Sequence, residues 1–205
     1  MKYFTLIVLF TLFSCGNKED ILLPKANTTI VKNVDDLSPI YIFFRTKGKD
    51  TLAEVNRKNS IISTNWILNV DKRLPLRLAI PEIMKLQEKK RTEKAHKNEK
   101  AENYYSYADT IGKNLAFIPF TNVYYKLEKP KSIVVFFAKN NEILVDNVVM
   151  KREELLTYLN KLPSNTSNQY VFCFDKNLTF GGYIQNKIFI ESLKVEMKST
   201  QEFIY

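Results

Sequence analysis

Residues 132–146 read SIVVFFAKNNEILVD, and the fold follows from them outward. Ile133 to Phe137 is an unbroken β-branched and aromatic run, the pattern of a buried strand, and Ala138 to Glu142 supplies polar turn chemistry before Ile143 to Asp146 returns as a second strand. The next segment, KREELLTYLNKL (151–162), sets Leu155, Leu159 and Leu162 on one face of an amphipathic helix that Pro163 stops. A polar linker, SNTSN, leads to a third strand, Tyr170 to Phe174, and then to Asp175-Lys176. Gly181-Gly182 opens a last helix from Tyr183 to about Met197, and Phe203-Ile204-Tyr205 adds a terminal strand. The order β-β-α-β-α-(β) belongs to the α+β class, a two-layer sandwich of mixed sheet and helices.

The first half of the chain echoes the second. IYIFFRTKGKDTLAEV lies over IVVFFAKNNEILVDNV, and WILNVDKRL over YVFCFDKNL, which places Phe44 on Phe137 and Asp71 on Asp175. The spacing in the second copy is longer by about one helix, the length of KREELLTYLNKL, so a degenerate tandem repeat predicts that the first copy lacks that helix. In the first half, strands are expected at Ile40 to Phe44, Thr51 to Val55 and Trp66 to Val70. A helix is expected with Pro81 at its first position, where a missing N–H costs nothing. Beyond Glu88 its pattern turns charged, so the helix should project or fray, with Glu93 and Lys97 paired at i,i+4. Leu115 to Phe120 reads as an edge strand because of Pro119. The resulting division is a leader at 1–14, a tether at 15–36, an N-terminal α+β half at 37–102, a connecting segment at 103–130 and a C-terminal half at 131–205.

Taken together, IVVFFAKNNEILVDNVVMKREELLTYLNKL and QYVFCFDKNLTFGGYIQNKIFIESLK resemble the periplasmic domain of the ExbD/TolR family over roughly 130–205, and weakly over 38–90. Glu153-Glu154-Leu155 through Leu159, Asp175, Phe180 and Tyr183 carry the resemblance. It implies a dimerising α+β domain of the bacterial envelope, working beside a proton-driven motor in biopolymer transport or holding envelope layers together through peptidoglycan. Members of that family carry an intramembrane Asp, a residue expensive in lipid and therefore functional. No Asp or Glu stands between Met1 and Cys15, so direct proton coupling is not expected.

The N-terminus explains where such a domain is held. Lys2 precedes an apolar run from Tyr3 to Phe13 that is too short to span a bilayer as a helix and has the form of a secretory signal. Leu12-Phe13-Ser14-Cys15 resembles a bacterial lipobox, which implies that Cys15 is acylated and becomes the first mature residue; two or three acyl chains hold a protein firmly on a membrane. Lys18-Glu19-Asp20 resembles the short export tag of some surface lipoproteins. The expected location is the cell envelope, lipid-anchored at the outer membrane on its periplasmic face or at the cell surface.

Composition narrows the chemistry. Lys and Arg number 31 against 22 Asp and Glu, a net charge of +9, with much of the excess in KLQEKKRTEKAHKNEK (85–100). That run reads as a solvated helix face or as a patch attracted to polyanions such as headgroups and acidic cell-wall polymers. An exported lipoprotein rarely meets nucleic acid, so none is expected as a partner. His96, the only histidine, sits in this run without an orienting partner, and no CxxC, HExxH, GxSxG or Gly-rich phosphate loop is present. Asp71 and Asp175 read as turn or capping residues in preference to a catalytic pair. Cys173 reads as a small buried hydrophobe. The expectation is a non-enzymatic protein with no cofactor or metal, acting through self-association, an envelope protein or peptidoglycan. The alternative is a surface-displayed binding or assembly lipoprotein unrelated to energised transport. Self-pairing through a sheet edge would use the terminal Phe203-Ile204-Tyr205 strand or the stretch Phe117 to Phe120.

Overall fold

The computed structural model describes residues 20–161, 170–194 and 200–205. Over these residues the chain is an α+β sandwich of two six-stranded mixed sheets and three helices. The first sheet is built from β1 (Lys25–Ala26), β2 (Leu37–Lys47), β3 (Asp50–Asn56), β4 (Asn65–Val70), β5 (Asn103–Asp109) and β6 (Asn114–Pro119), with helix α1 (Leu76–Thr92) between β4 and β5. The second comprises β7 (Tyr124–Lys126), β8 (Ile133–Phe137), β9 (Ile143–Val145), β10 (Val148–Met150), β11 (Tyr170–Phe174) and β12 (Gln201–Ile204). Helix α2 (Arg152–Lys161) precedes β11 and helix α3 (Phe180–Ser192) follows it. Residues 103–130, read from the sequence as a connection, thus hold β5 and β6 of the first sheet and β7 of the second.

Both sheets repeat one strand order. In the first, β3-β2-β4-β5 sit side by side, β3 antiparallel to β2 and the others parallel; in the second, β9-β8-β11-β12 do the same. Parallel neighbours need a long crossover, which α1 supplies between β4 and β5, α3 between β11 and β12, and α2 between the β8–β10 meander and β11. The first half has only residues 57–64 where the second has α2, as the spacing difference predicts. The register differs from the sequence overlay by two residues. Asp71 N–H donates to Ile42 O at 3.0 Å and Asp175 N–H to Phe137 O at 3.0 Å, so Ile42, not Phe44, stands where Phe137 does. A slip of two keeps every side chain on its own face of the sheet, which is why the apolar pattern alone does not resolve it.

The hairpins follow their turn residues. Gly48 adopts φ +63° between β2 and β3, a left-handed conformation that glycine enters without steric cost. Asp146 and Asn147, at φ +48° and +67°, form the two-residue turn between β9 and β10, as a type I′ turn requires.

The two halves join at equivalent points. Pro75 and Thr179 face each other in an isolated antiparallel bridge. Leu76 N–H donates to Leu178 O at 2.9 Å and Phe180 N–H to Leu74 O at 2.7 Å; Arg77 N–H donates to Lys176 O at 2.8 Å and Gly181 N–H to Lys72 O at 3.0 Å. These bonds form two matched pairs around a local two-fold axis. Pro75 fits because its own nitrogen lies at the position of the bridge that donates nothing. At Gly181 a Cβ would lie 3.2 Å from Lys72 Cβ and 3.3 Å from its carbonyl oxygen, so a bare backbone lets the halves approach.

One core serves both halves, from Ile40, Trp66 and Leu68 through Tyr105 and Phe120 to Phe174, Phe180 and Ile184. Helix α3 is buried on several sides, with Phe180, Tyr183, Ile184, Asn186, Lys187, Ile188 and Ile190 all enclosed. Helix α1 begins at Leu76 with Pro75 at its N-cap, so Pro81 lies inside it and not at its start. It runs to Thr92 because its last turn is drawn inward. Lys90 is buried, and Arg91 stacks on Tyr124 at 4.1 Å. Glu93 is the C-cap, and Lys97 pairs with Glu99 at 2.9 Å instead. In α2, Leu155 and Leu159 are buried as expected, and Leu162 lies outside the described residues. The strand β12 pairs with β11 on one side and β7 on the other, so the terminal Phe-Ile pair is not an edge. The outer side of β6 is met at Phe117 by Val31, through bonds of 3.0 and 2.9 Å.

Candidate functional site

Three polar features stand out. The first is a buried chain of hydrogen bonds that crosses the seam between the halves. Tyr105 of β5, Tyr125 of β7 and Tyr183 of α3 link hydroxyl to hydroxyl at 2.6 and 2.9 Å; Tyr183 reaches Glu202 Oε2 at 2.5 Å, and Lys187 Nζ reaches Glu202 Oε1 at 2.5 Å. A carboxylate only accepts, so Tyr183 donates to it, Tyr125 donates to Tyr183 and Tyr105 donates to Tyr125. Burial first, with the Glu202 charge adding, lifts all three phenols well above the ordinary value; the neighbouring tyrosines add to this at Tyr105 and Tyr183 and oppose it at Tyr125. They stay protonated and serve as donors. Tyr105 also stacks on Phe120 at 3.8 Å and meets Phe180 edge-on. The chain is closed to solvent, and its chemistry is that of a lock.

The second feature is a groove of about 560 Å³ between α1 and β7, lined by Met84, Lys85, Glu88, Arg91, Tyr124 and Lys126 among others. Arg91 donates to Thr121 O and Val123 O at 3.1 and 3.2 Å, which fixes its guanidinium over the Tyr124 ring. The third is a cleft of about 500 Å³ where the N-terminal segment meets α2 and α3. Lys25, Thr28, Arg152, Gln185, Ile188 and Phe189 are among its lining residues, and no carboxylate of the described residues lines it.

Two charged groups flank these features. Lys90 Nζ donates to Thr64 O, Glu102 O and Asn103 Oδ1 at 2.9 to 3.1 Å and lies 5.1 Å from the Trp66 ring; burial pulls it down to about 8. Its three acceptors make it a structural cation. Asp71, 1 % exposed, accepts from Arg73 N, Nε and Nη2 at 3.0, 2.9 and 2.7 Å. Burial opposes its charge, but these bonds and the Leu22 amide outweigh it and hold the carboxyl below the ordinary 3.8.

The residues singled out in the sequence are placed as follows. Cys15, Lys18 and Glu19 lie outside the described residues; Asp20 is exposed. Asp71 and Asp175 both form Asx turns, Asp175 Oδ1 accepting from Asn177 N–H at 2.7 Å. His96 is exposed at φ +57°. Cys173 is enclosed, and burial pushes its thiol up to about 12, so it is inert as a nucleophile. Among the described residues no three His, Cys, Asp or Glu side chains cluster as a metal site, and no helix is long and apolar enough to cross a membrane. Sequence reading missed Lys187, Glu202 and Arg152. The first two carry a legible signal, a charge embedded in the apolar runs YIQNKIFI and QEFIY. Arg152 carries none, because its cleft is assembled by distant segments.

No family model, no curated protein and no solved structure matches the chain.

Proposed function

We propose that this chain is a membrane-anchored envelope lipoprotein, accessory to transport or wall attachment, that works by holding a protein or the cell wall. The observation carrying this reading is the doubled strand order joined at Pro75 and Thr179. The resemblance to ExbD/TolR implies a domain that pairs with a second copy, and here one chain supplies both partners, fused by a shared core. The second half also keeps the order that the resemblance calls for: a strand pair, a Glu-Glu-Leu helix, a strand followed directly by Asp175, then Phe180 and a helix through Tyr183. Both open clefts present cations, amides and rings, a lining suited to contact with acidic or polar partners. Acylation of Cys15 would place those clefts beside a bilayer.

Labelling of cells with a palmitate analogue tests the anchor: the protein takes the label and Cys15→Ala loses it together with the membrane fraction. An unlabelled or uncut chain defeats the reading. Protease shaving of intact cells then separates a periplasmic protein, which survives, from a surface-displayed one, and co-sedimentation with purified peptidoglycan tests the wall as partner.

A further inference from the structure

Arg152 opens α2, and its half-buried guanidinium lies 4.7 Å above the Phe189 ring. Burial works against its charge, with only Glu153 in opposition. One amino group donates to Asn186 Oδ1 at 2.5 Å, and no carboxylate of the described residues stands within ion-pair distance. Asn186 is fully enclosed, and its Nδ2 has no acceptor. Because a guanidinium can only donate, Oδ1 is committed to it and the amide's two N–H bonds are left unpaired. An enclosed donor without an acceptor costs about 1–3 kcal/mol, which the fold carries here to hold Arg152 in place; of the two residues it is Arg152 that lines the third cleft described above, with no anion of the described residues beside it. Lys25 adds a second charge across the cleft, while Ile188 and Phe189 supply apolar wall.

We propose that this cleft binds a ligand through a carboxylate, Arg152 receiving the group on its free N–H bonds, Lys25 adding charge and Ile188 with Phe189 covering the ligand's apolar part. A planar fork matches a planar carboxylate. Glu153 and Glu154, in the same helical turn, disfavour a phosphate dianion. The volume lies within the ~300–1,000 Å³ of small-ligand pockets. This binding goes beyond the proposed anchoring and does not rest on it.

Titration calorimetry on the full chain in mild detergent tests it with benzoate, succinate and N-acetyl-phenylalanyl-alanine, set against the methyl ester of that peptide and inorganic phosphate. At least one acid saturates the site below about 10 mM. The ester and the Arg152→Lys variant each lose roughly tenfold. A tighter fit for the peptide identifies a chain end as the source, and a tighter fit for benzoate or succinate a free organic acid. Lys25→Ala, at an exposed position that leaves the fold intact, weakens binding by about twofold or more and carries the test if Arg152→Lys melts early. No saturation by any acid, phosphate binding as tight as the acids, or acid binding that neither variant changes overturns the proposal.

Discussion

Asp71 and Asp175 occupy equivalent turns yet carry different loads. Asp71 is enclosed and accepts four hydrogen bonds, while Asp175 is half-exposed and accepts one. Asp71→Asn is expected to cost roughly 1–3 kcal/mol and Asp175→Asn less than about 1 kcal/mol in urea unfolding. The folded carboxyl of Asp71 lies below its unfolded value of 3.8, so its stabilisation is complete above that value and is lost as pH falls through the folded one. The wild type therefore shows a steeper acid-side decline than Asp71→Asn; parallel curves would contradict this. Lys90 has the opposite sign. Its folded value, about 8, lies below the ordinary 10.5, so the unfolded chain keeps its proton longer and stability rises from about pH 8 to 10.5. Lys90→Met strands three acceptors, costs roughly 2–4 kcal/mol, and its deficit widens across that window. A deficit that narrows instead would show that the ammonium is favoured in the fold.

Among the elements, α3 depends most on its start. Thr179 Oγ1 accepts from Gly182 N–H at 3.2 Å, and no acidic residue supports the first turn. Thr179→Ala should cost about 1 kcal/mol, while Thr179→Ser should be nearly neutral; equal losses in the two variants would assign the effect to packing of the methyl group. The elements also show what the sequence makes legible. Strands β2, β4, β8 and β11 are dense apolar runs bounded by turn residues, and such runs identify themselves. Strands β5 and β7 do not. Tyr104-Tyr105-Ser106-Tyr107 mixes aromatic and polar groups whose partners, Asn69 for Ser106 and Thr28 for Tyr107, lie far away in the chain. Helix α1 extends past Glu88 for the same reason, since the burial of Lys90 depends on Trp66, Glu102 and Asn103. Pattern reveals the face an element turns inward, but not the distant carbonyl that makes an inward charge tolerable.

At the scale of the molecule, the shared core and the Tyr105–Glu202 chain predict that the halves unfold together. Trp66 reports on the first half and the enclosed Cys173 thiol on the second. In a Cys15→Ser background, tryptophan fluorescence and thiol labelling should share one denaturant midpoint; separated midpoints would mean independent halves. Lys187→Met leaves Glu202 as an unpaired enclosed charge and should cost roughly 3–5 kcal/mol, while Lys187→Met with Glu202→Leu recovers much of it. The N-terminal segment enters at the seam of this unit. Lys72 N–H donates to Leu22 O at 2.7 Å, and Lys72 O accepts from Gly181 N–H at 3.0 Å, so Leu22 and the second half hold opposite sides of one residue. Tension applied upstream of Leu22 is delivered to the seam itself and not to an outlying strand. A tug along the tether therefore loads the contact between the halves, and with it the core they share, from the first moment.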